Sequence, residues 1–292
     1  MSWTPASMPA LAGTTAIVTG ANTGIGKPTA LELARHGAHV VVAARDPDRG
    51  AAAVAEIRRA APGAHVGYGR LDLADLASVR EFVKEFATGV ERLDLLVNNA
   101  GVGMVPRRET RDGFELQLGT NHLGHFALTG LLLPLLLAAP AARVVTVASD
   151  AHVAGRIDLD DLGMRHDYGR MAAYARSKLA NMLFALELQR RAERAGAGLI
   201  SVATHPGMTA TGIFGTGLVK PVVNLLMKRP ERGAVSSLYA AASPDVRGGE
   251  YIGPTLRRLT PSATARSREL ARRLWEASTE LTGVRFEELA PG

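Results

Sequence analysis

Tyr174 and Lys178 are the pair of residues whose types and spacing most clearly suggest acid–base chemistry. They lie four positions apart in a segment whose pattern predicts a helix over Arg170–Arg194, so they share one helix face. A free tyrosine has a pKa of about 10, and a lysine ammonium about 4 Å away supplies energy of the order needed to lower it by about three units. The spacing alone is common in helices, so the assignment needs partners.

Two candidate partners, Ser149 and Asn121, occur elsewhere in the chain. Ser149 ends a predicted strand, Arg143–Ser149, and the carboxyl ends of strands are where α/β sheets bind ligands. Its hydroxyl could hold a carbonyl or alkoxide oxygen. Asn121 lies inside a long helical pattern, Gly113–Leu137, where asparagine and glycine predict a local break of the kind that often marks a functional site. Taken singly, each residue would be an ordinary strand end or helix kink.

A glycine-rich turn, residues 19–26, follows the first predicted strand and opens a predicted helix, Gly24–His36. Gly20, Gly24 and Gly26 have the spacing G-x-x-x-G-x-G. Glycines allow a sharp turn and a close approach of main-chain N–H groups to a pyrophosphate. The turn is not a P-loop, because Pro28 replaces the serine or threonine that would hold magnesium. It therefore predicts a dinucleotide site.

The end of the second predicted strand bears on which dinucleotide is bound. Arg45 could pair with the 2′-phosphate of NADP, whereas Asp46 directly after it could hydrogen-bond the ribose hydroxyl of NAD. A charge-assisted bond from Arg45 would favour NADP about 10- to 150-fold. We expect NADP(H) to be preferred, with binding of NAD(H) still possible.

The elements that must position these residues alternate between strands and helices, which predicts a doubly wound α/β fold with a parallel sheet. The predicted strands are Thr15–Thr19, His39–Ala44, Val66–Leu71, Leu93–Asn98, Arg143–Ser149, Gly198–Ala203 and a short Glu250–Ile252. The predicted helices are Gly24–His36, Pro47–Ala60, Leu73–Ala87, Gly113–Leu137, Arg170–Arg194 and Ser267–Leu281. We expect one domain over residues 1–292, with an apolar substrate-covering lobe at about 207–229 and a C-terminal helix at about 267–281.

Composition excludes several classes of protein. The 292 residues include no cysteine, which rules out thiol catalysis and cysteine-ligated metal. The net charge of +6 is scattered and only 5% of residues are aromatic, so we expect no nucleic-acid partner.

The most apolar stretch, Phe126–Ala142, is too short and interrupted to span a membrane, and no signal peptide is visible, so we expect a cytoplasmic protein. The eight histidines form no ligand motif, so we expect no metal, and we expect His122 and His125 to be structural or close to the cofactor.

Together these motifs resemble the short-chain dehydrogenase/reductase family, from about residue 14 to residue 254. The resemblance rests on the glycine turn and on the motifs Leu71-Asp72-Leu73, Asn98-Asn99-Ala100-Gly101, Asn121, Ser149, Tyr174 with Lys178, and His205-Pro206-Gly207 with Thr211. The runs Asn121–Phe126 and Ser177–Asn181 are similar to the retinol-dehydrogenase-like branch of the single-domain subgroup. Ala148 departs from relatives that often carry serine there, which puts little in doubt because Ser149 has the spacing to Tyr174 that the branch requires.

The resemblance implies a Rossmann-type sheet of about seven strands and a role for each motif. Tyr174 would be the general acid–base, Lys178 would lower its pKa, Ser149 would position the substrate oxygen, and the Asn121 carbonyl would order a water that links Lys178 to solvent. The implied cofactor contacts are Gly20, Asn22, Thr23, Gly24, Ile25, Gly26, Arg45, Asp72, Leu73, Asn99, Ala100, Gly101, Tyr174, Lys178, Pro206, Gly207 and Thr211.

The predicted function is that of an NADP(H)-dependent oxidoreductase acting on a bulky hydrophobic ketone, aldehyde or secondary alcohol. The alternatives are a catalytically silent NADP(H)-binding regulator of the same fold and a sugar-nucleotide epimerase, which the glycine spacing disfavours. The resemblance also implies a homodimer or homotetramer, formed by the helices predicted at Gly113–Leu137 and Arg170–Arg194.

Overall fold

Most of the seven strands are short apolar runs that are buried on both faces of a parallel sheet. A computed structural model of the chain describes residues 3–207 and 230–289. The strands are β1 (Thr15–Thr19), β2 (His39–Ala44), β3 (Val66–Arg70), β4 (Leu95–Asn98), β5 (Arg143–Val147), β6 (Ile200–Thr204) and β7 (Tyr251–Ile252). Their order in the sheet is β3-β2-β1-β4-β5-β6-β7, and all pairs are parallel. The predicted fold class is confirmed.

Helices connect the strands, and several begin at capping side chains. They are α1 (Gly26–Arg35), α2 (Pro47–Ala60), α3 (Leu76–Phe86), α4 (Leu116–Leu118), α5 (Gly124–Leu131), α6 (Leu133–Leu137), α7 (Arg170–Arg194), α8 (Pro230–Ala242) and α9 (Arg268–Thr282). Asp46 caps α2, Asp75 caps α3 and Ser267 caps α9 by accepting hydrogen bonds from main-chain N–H groups. Short 3₁₀ turns lie at Pro5–Ser7, Asp150–Ala154 and Glu287–Leu289.

Alternate residues of each strand belong to two apolar layers. On β1, Ala16 and Val18 pack into the layer that contains α1, α2 and α8, whereas Ile17 packs into the layer that contains α3, α5 and α6. The sheet is thus covered by helices on both faces, as a doubly wound fold requires.

The order of strand connection reverses between β1 and β4. β1 pairs with β2 on one side, where Thr19 lies opposite Ala43, and with β4 on the other, where Val18 lies opposite Val97. The crevice beyond the carboxyl ends of these strands is the usual ligand site of such a sheet.

Two helices depart most from the sequence-based predictions. The helix predicted at Gly113–Leu137 begins at Leu116, because Glu115 caps it, and contains a five-residue π turn at Gly119–Leu123. Helix α8 was not predicted, although Pro230 at its first position and Glu231 in its first turn are helix-start signals. The predicted lobe at 207–229 lies outside the described residues apart from Gly207.

The C-terminal helix α9 packs on α7 and α5. Its Trp275, with Phe286 just after it, forms an aromatic cluster with Phe126 of α5 and Phe184 of α7, with ring centroids 4.5 to 6.5 Å apart. The helix faces that we expected to pair between subunits are therefore covered, at this cluster, by the chain's own C-terminal segment. Oligomerisation stays a prediction.

Candidate active site

The carboxyl ends of four neighbouring strands place polar side chains along one edge of the sheet. Thr19 and Asn98 are the last residues of β1 and β4, and Ser149 and His205 follow β5 and β6 by two residues and one residue. Because the strands are parallel and adjacent, these ends lie along the crevice edge. Ser149, which the sequence placed at the carboxyl end of a strand, lies on this edge with Asn98.

The turn between β1 and α1 has a backbone that glycine alone accommodates well. Gly20 and Gly24 have positive φ angles of 66° and 56°. A Cβ atom at Gly26 would lie 2.6 Å from Asn99 Nδ2 and 2.7 Å from the Gly20 carbonyl oxygen. The turn is therefore packed tightly against the loop after β4.

The N-terminus of α1 differs from those of its neighbours because no described side chain caps it. It begins after Ile25, which makes no capping hydrogen bond, whereas Asp46 and Asp75 cap α2 and α3. Helix N-termini attract anions through their unpaired N–H groups. In the same turn, Asn22 is half-buried and Thr23 is exposed. These residues fit the pyrophosphate of a dinucleotide.

The loop after β4 is tied to the end of β1. The main-chain N–H groups of Asn99 and Ala100 both donate to Thr19 Oγ1 at 2.9 Å, and Asn99 Nδ2 donates to the Thr19 carbonyl oxygen at 2.7 Å. At the next position, a Cβ atom on Gly101 would lie 3.1 Å from Asn121 Oδ1. The loop thus lies between the glycine turn and the π turn.

The residues after β2 and β3 continue this edge. Arg45 is exposed directly after β2. Asp72 is half-buried, and its Oδ1 accepts a hydrogen bond of 3.0 Å from the N–H of Ala74. Leu73 is buried, and any side chain at Gly124 would overlap it.

Asn121 is held in the π turn by its side chain. Its Oδ1 accepts from the N–H of Val102 at 2.8 Å, and its Nδ2 donates to the Val102 carbonyl at 2.8 Å and to Ser177 Oγ at 2.9 Å. The predicted local break is thus a π turn rather than an interruption of the helix. It links the loop after β4 to α7.

Ser149 and Tyr174 are close enough to influence each other. Ser149 Oγ accepts a hydrogen bond of 3.2 Å from the N–H of Ala151, so its own hydrogen is available to another acceptor. Tyr174 is 8% exposed. Its burial raises the pKa of the phenol, and a hydrogen bond with Ser149 has the opposite, smaller effect.

Lys178 lies beside the Tyr174 ring, with Nζ 5.8 Å from the ring centroid. Burial lowers the pKa of Lys178 to about 8. We expected Lys178 to lower the pKa of Tyr174. In the protein without cofactor the pKa of Tyr174 is instead raised, because burial of the phenol dominates. A lower pKa would need a further positive charge beside the ring.

The segment after β6 is anchored next to Ser149. His205 Nε2 lies 3.0 Å from Asp150 Oδ2, and the N–H of Gly207 donates to His205 Nδ1 at 3.0 Å, so the ring hydrogen of a neutral imidazole is on Nε2. The Tyr251 hydroxyl donates to Asp150 Oδ1 at 3.2 Å. Asp150 therefore holds the segment that leads to Pro206.

Thr211, which we expected to contact the cofactor, lies outside the described residues. Among the residues that are described, no group of three histidine, aspartate or glutamate side chains could hold a metal ion. The expectation of a metal-free site stays a prediction.

Sequence analysis missed Thr19 and Asp150 and left His125 without a specific role. Thr19 and Asp150 directly adjoin Gly20 and Ser149, which was an available signal. Their functions come from hydrogen bonds between distant segments, and spacing along the chain does not reveal these.

Comparison with known proteins agrees with this arrangement. The sequence profile described as short chain dehydrogenase matches residues 14–217, well over half of the chain. The chain belongs to the short-chain dehydrogenase family. The family's enzymes are oxidoreductases that use NAD(H) or NADP(H), and this chain is an oxidoreductase of that family.

The relatives that resemble this short-chain dehydrogenase over nearly its full length have dehydrogenase names. It is 45% identical to retinol dehydrogenase 13 of Homo sapiens over 286 residues, which is 93% of this chain and 85% of the human protein. It is 46% identical to polyprenol dehydrogenase of Mus musculus, over 96% of this chain and 87% of the mouse protein. The retinol-dehydrogenase-like resemblance is confirmed.

Solved structures have the same fold. A crystal structure of a Mycobacterium paratuberculosis protein is 43% identical, with a TM-score of 0.82, and covers 98% of this chain and 99% of its own. A Shigella flexneri short chain dehydrogenase complexed with NADP is 22% identical, with a TM-score of 0.67, over 85% of this chain and 99% of its own. No helix within the described ranges is long and apolar enough to cross a bilayer.

Proposed function

We propose that this short-chain dehydrogenase transfers hydride between NADP(H) and a bulky hydrophobic ketone, aldehyde or secondary alcohol. The observation that carries the proposal is the pair of hydroxyls at Ser149 and Tyr174, with Lys178 beside the Tyr174 ring. Two hydroxyl groups at the crevice edge can both donate hydrogen bonds to one carbonyl oxygen, which is where negative charge develops during reduction.

The nicotinamide, when bound, supplies the hydride that adds to the carbonyl carbon. Tyr174 gives its phenolic proton to the carbonyl oxygen, and Ser149 donates a hydrogen bond to the same oxygen. The products are an alcohol and a tyrosinate, which takes a proton back before the next turnover. In the reverse direction the tyrosinate accepts the alcohol proton, and Ser149 holds the oxygen in the same place.

The raised pKa of Tyr174 bears on direction. Burial keeps the phenol protonated at neutral pH, and the protonated form is the one that donates during carbonyl reduction. Oxidation needs the tyrosinate, so it requires an added positive charge near the ring. An oxidised nicotinamide would provide such charge in addition to that of Lys178. We therefore expect reduction to tolerate neutral pH better than oxidation does.

The preference for NADP(H) is supported by the different surroundings of Arg45 and Asp46. Asp46 uses Oδ1 to cap α2, where it accepts from the N–H of Arg49 at 3.0 Å. Arg45 is exposed after β2, and Gly20 of the glycine turn donates to the Ala43 carbonyl at the end of the same strand. Arg45 is thus the better candidate for a charged contact at the adenosine ribose.

Arg45→Ala tests this preference, with Arg59→Ala at the exposed far end of α2 as a matched loss of charge. We expect Arg45→Ala to weaken NADPH binding about 10- to 150-fold and to leave NADH binding nearly unchanged. Dissociation constants from cofactor fluorescence would measure both. Equal effects of the two variants on NADPH binding would remove Arg45 from the site.

A hydrophobic substrate is supported by the surface near Ser149 and Tyr174. Among the described residues, three large apolar side chains are exposed, and two of them, Val153 at 68% and Met171 at 52%, lie on the elements that carry Ser149 and Tyr174. The relatives are named for retinol and polyprenol, which are long apolar alcohols. Apolar rims favour apolar ligands because burial of both surfaces is favourable.

The decisive experiment measures NADPH oxidation by the purified chain with retinal, a polyprenal and small aromatic ketones. Tyr174→Phe should abolish turnover while it leaves the NADPH dissociation constant within about twofold, because the phenol supplies a proton rather than most of the binding energy. Tyr239→Phe, which removes a tyrosine hydroxyl on α8, is the control and should retain activity. Tight NADPH binding without turnover of any carbonyl would favour the catalytically silent regulator.

Three further expectations stay predictions. Limited proteolysis would test the single-domain organisation, light scattering would test the homodimer or homotetramer, and cell fractionation would test the cytoplasmic location. The finding on membrane helices does not decide the location.

A further inference from the structure

His125 is a buried imidazole that bonds to two separate parts of the site. It lies in the first turn of α5 and is 1% exposed. Its Nδ1 lies 2.9 Å from the carbonyl oxygen of Asn121, and its Nε2 lies 2.9 Å from Thr19 Oγ1. The ring therefore spans from the π turn to the end of β1.

The hydrogen bonds fix the tautomer of this ring. A carbonyl oxygen accepts and cannot donate, so Nδ1 carries the hydrogen. Burial lowers the pKa of His125 to about 4; the bond to Asn121 opposes the shift and the charge of Lys178 reinforces it. The neutral ring then accepts at Nε2, so the Thr19 hydroxyl donates to it.

Thr19 completes the connection to the cofactor side of the crevice. Its hydroxyl donates to His125 and accepts the main-chain N–H groups of Asn99 and Ala100 at 2.9 Å each. The Val97 carbonyl, 3.3 Å from the same hydroxyl, is a longer alternative acceptor. An uninterrupted chain of hydrogen bonds thus runs from the loop after β4, through Thr19 and His125, to the Asn121 carbonyl.

The π turn makes such a tie necessary. A π turn inserts a residue into the helix, so the carbonyl directions around Asn121 depart from those of a regular α-helix. The Asn121 side chain is fixed independently by Val102 and Ser177. The imidazole adds a donor that orients the main-chain carbonyl of the same residue.

We propose that His125 is a positioning residue that aligns the Asn121 carbonyl with the cofactor loop. This inference rests on the proposed function. His125 acts through Asn121 and Thr19. The titratable groups that influence it are Lys178 of α7 and its neighbour His122, which is also neutral because burial lowers its pKa to about 3.

Three variants test the proposal. His125→Phe keeps a ring but removes both hydrogen bonds, and His125→Asn keeps an amide near the Nδ1 position. Thr129→Val is the control, because Thr129 on the same helix donates to the His125 carbonyl at 2.7 Å and accepts from Asn98 at 3.1 Å, so its loss disturbs the same core without touching Asn121.

We expect His125→Phe to lower kcat at least about tenfold and to shift the pH profile of kcat, with partial rescue in His125→Asn. Its NADPH dissociation constant should rise about two- to tenfold, because Thr19 loses its 2.9 Å acceptor and keeps only the Val97 carbonyl at 3.3 Å. Thr129→Val should lower the unfolding midpoint while its kcat and pH profile match the wild type. Wild-type kinetics in His125→Phe, or the same pH shift in Thr129→Val, would overturn the proposal.

The binding readout separates this inference from the proposed function. If the wild type binds NADPH but reduces no carbonyl, the proposed function fails. The NADPH dissociation constants of the variants would still test whether His125 acts on the cofactor loop. An NADPH dissociation constant unchanged by both His125→Phe and Thr19→Val would then refute the link between His125 and the cofactor loop.

Discussion

The ammonium of Lys178 donates a hydrogen bond of 2.9 Å to the main-chain carbonyl of Val147, two residues before Ser149. The same carbonyl also accepts from Asn181 Nδ2 at 3.2 Å. The lysine thus braces the strand end that carries Ser149. Its charge is buried, which is why its pKa is lowered to about 8.

Lys178→Met should therefore stabilise the protein while it abolishes turnover. A pKa lowered from 10.5 to about 8 corresponds to a cost of about 3 kcal/mol for the buried charge, and Asn181 still satisfies the Val147 carbonyl in the variant. We expect about 1 to 3 kcal/mol of added stability at pH 7 in urea unfolding without cofactor.

The pH dependence of this difference has a definite sign. Below about pH 8 the lysine is charged in both states and the full cost is present. Above that pH the folded protein loses the Lys178 proton before the unfolded chain does. The stability of the wild type therefore rises relative to that of Lys178→Met up to about pH 10.5. A Lys178→Met protein less stable than wild type at pH 7 would contradict this account.

His122 and His125 should make the protein acid-sensitive. Burial lowers their pKa values to about 3 and about 4, so both stay neutral while the unfolded chain takes up protons below about pH 6.5. Stability is thus fully present above that pH and falls as pH drops towards 4, by about 1.4 kcal/mol per unit for each histidine. His122→Gln should reduce the slope by one histidine's share, measured by urea unfolding at a series of pH values. An unchanged slope would show that His122 is protonated in the fold.

Val153 and Met171 should affect long substrates selectively. Val153→Ser and Met171→Ser each remove exposed apolar surface on the elements that carry Ser149 and Tyr174. We expect KM for retinal to rise about two- to tenfold, because roughly one side chain's contact is lost, and KM for a small aromatic ketone to change little. Leu281→Ser, which is exposed on α9, is the control. Equal changes for both substrates would show that the two residues make no selective contact with a long substrate.

Arg176 and Glu115 form a buried ion pair at 3.6 Å, with side-chain exposures of 3% and 0%. Glu115 also caps α4 through the N–H groups of Gln117 and Leu118. Arg176→Met should cost about 3 to 5 kcal/mol because it leaves a buried carboxylate without its cation. The double variant with Glu115→Gln should lose less than the sum of the single variants in a double-mutant cycle. Additive losses would mean that the pair is not coupled.

The sequence predicted the sheet well because its signal is local. Each buried strand is a short apolar run, so the predicted ranges for β1 and β2 match the observed ones. Leu93 was placed in β4, but its N–H donates to Leu135 instead and the strand begins at Leu95. Such boundaries depend on which neighbour accepts each hydrogen bond, and this is not written in the local sequence.

The candidate site was predictable in its residue types and less so in its energetics. Ser149, Tyr174 and Lys178 come together as their strand-end and helix positions suggested. The raised pKa of Tyr174 follows from burial by segments far away in the chain. The bridging role of His125 likewise requires β1 and α5 to pack together, so a pattern within α5 alone could not reveal it.

The aromatic cluster that closes on α5 and α7 also constrains how the protein is made. Phe126 and Phe184 are buried against Trp275 and Phe286, which lie near the end of the chain. Phe126 and Phe184 are therefore synthesised well before the rings that cover them. Nascent chains expose this apolar surface during synthesis, and such surface favours aggregation, so we expect a general chaperone to bind it there. Crosslinking of stalled chains that end before Trp275 would detect such an encounter.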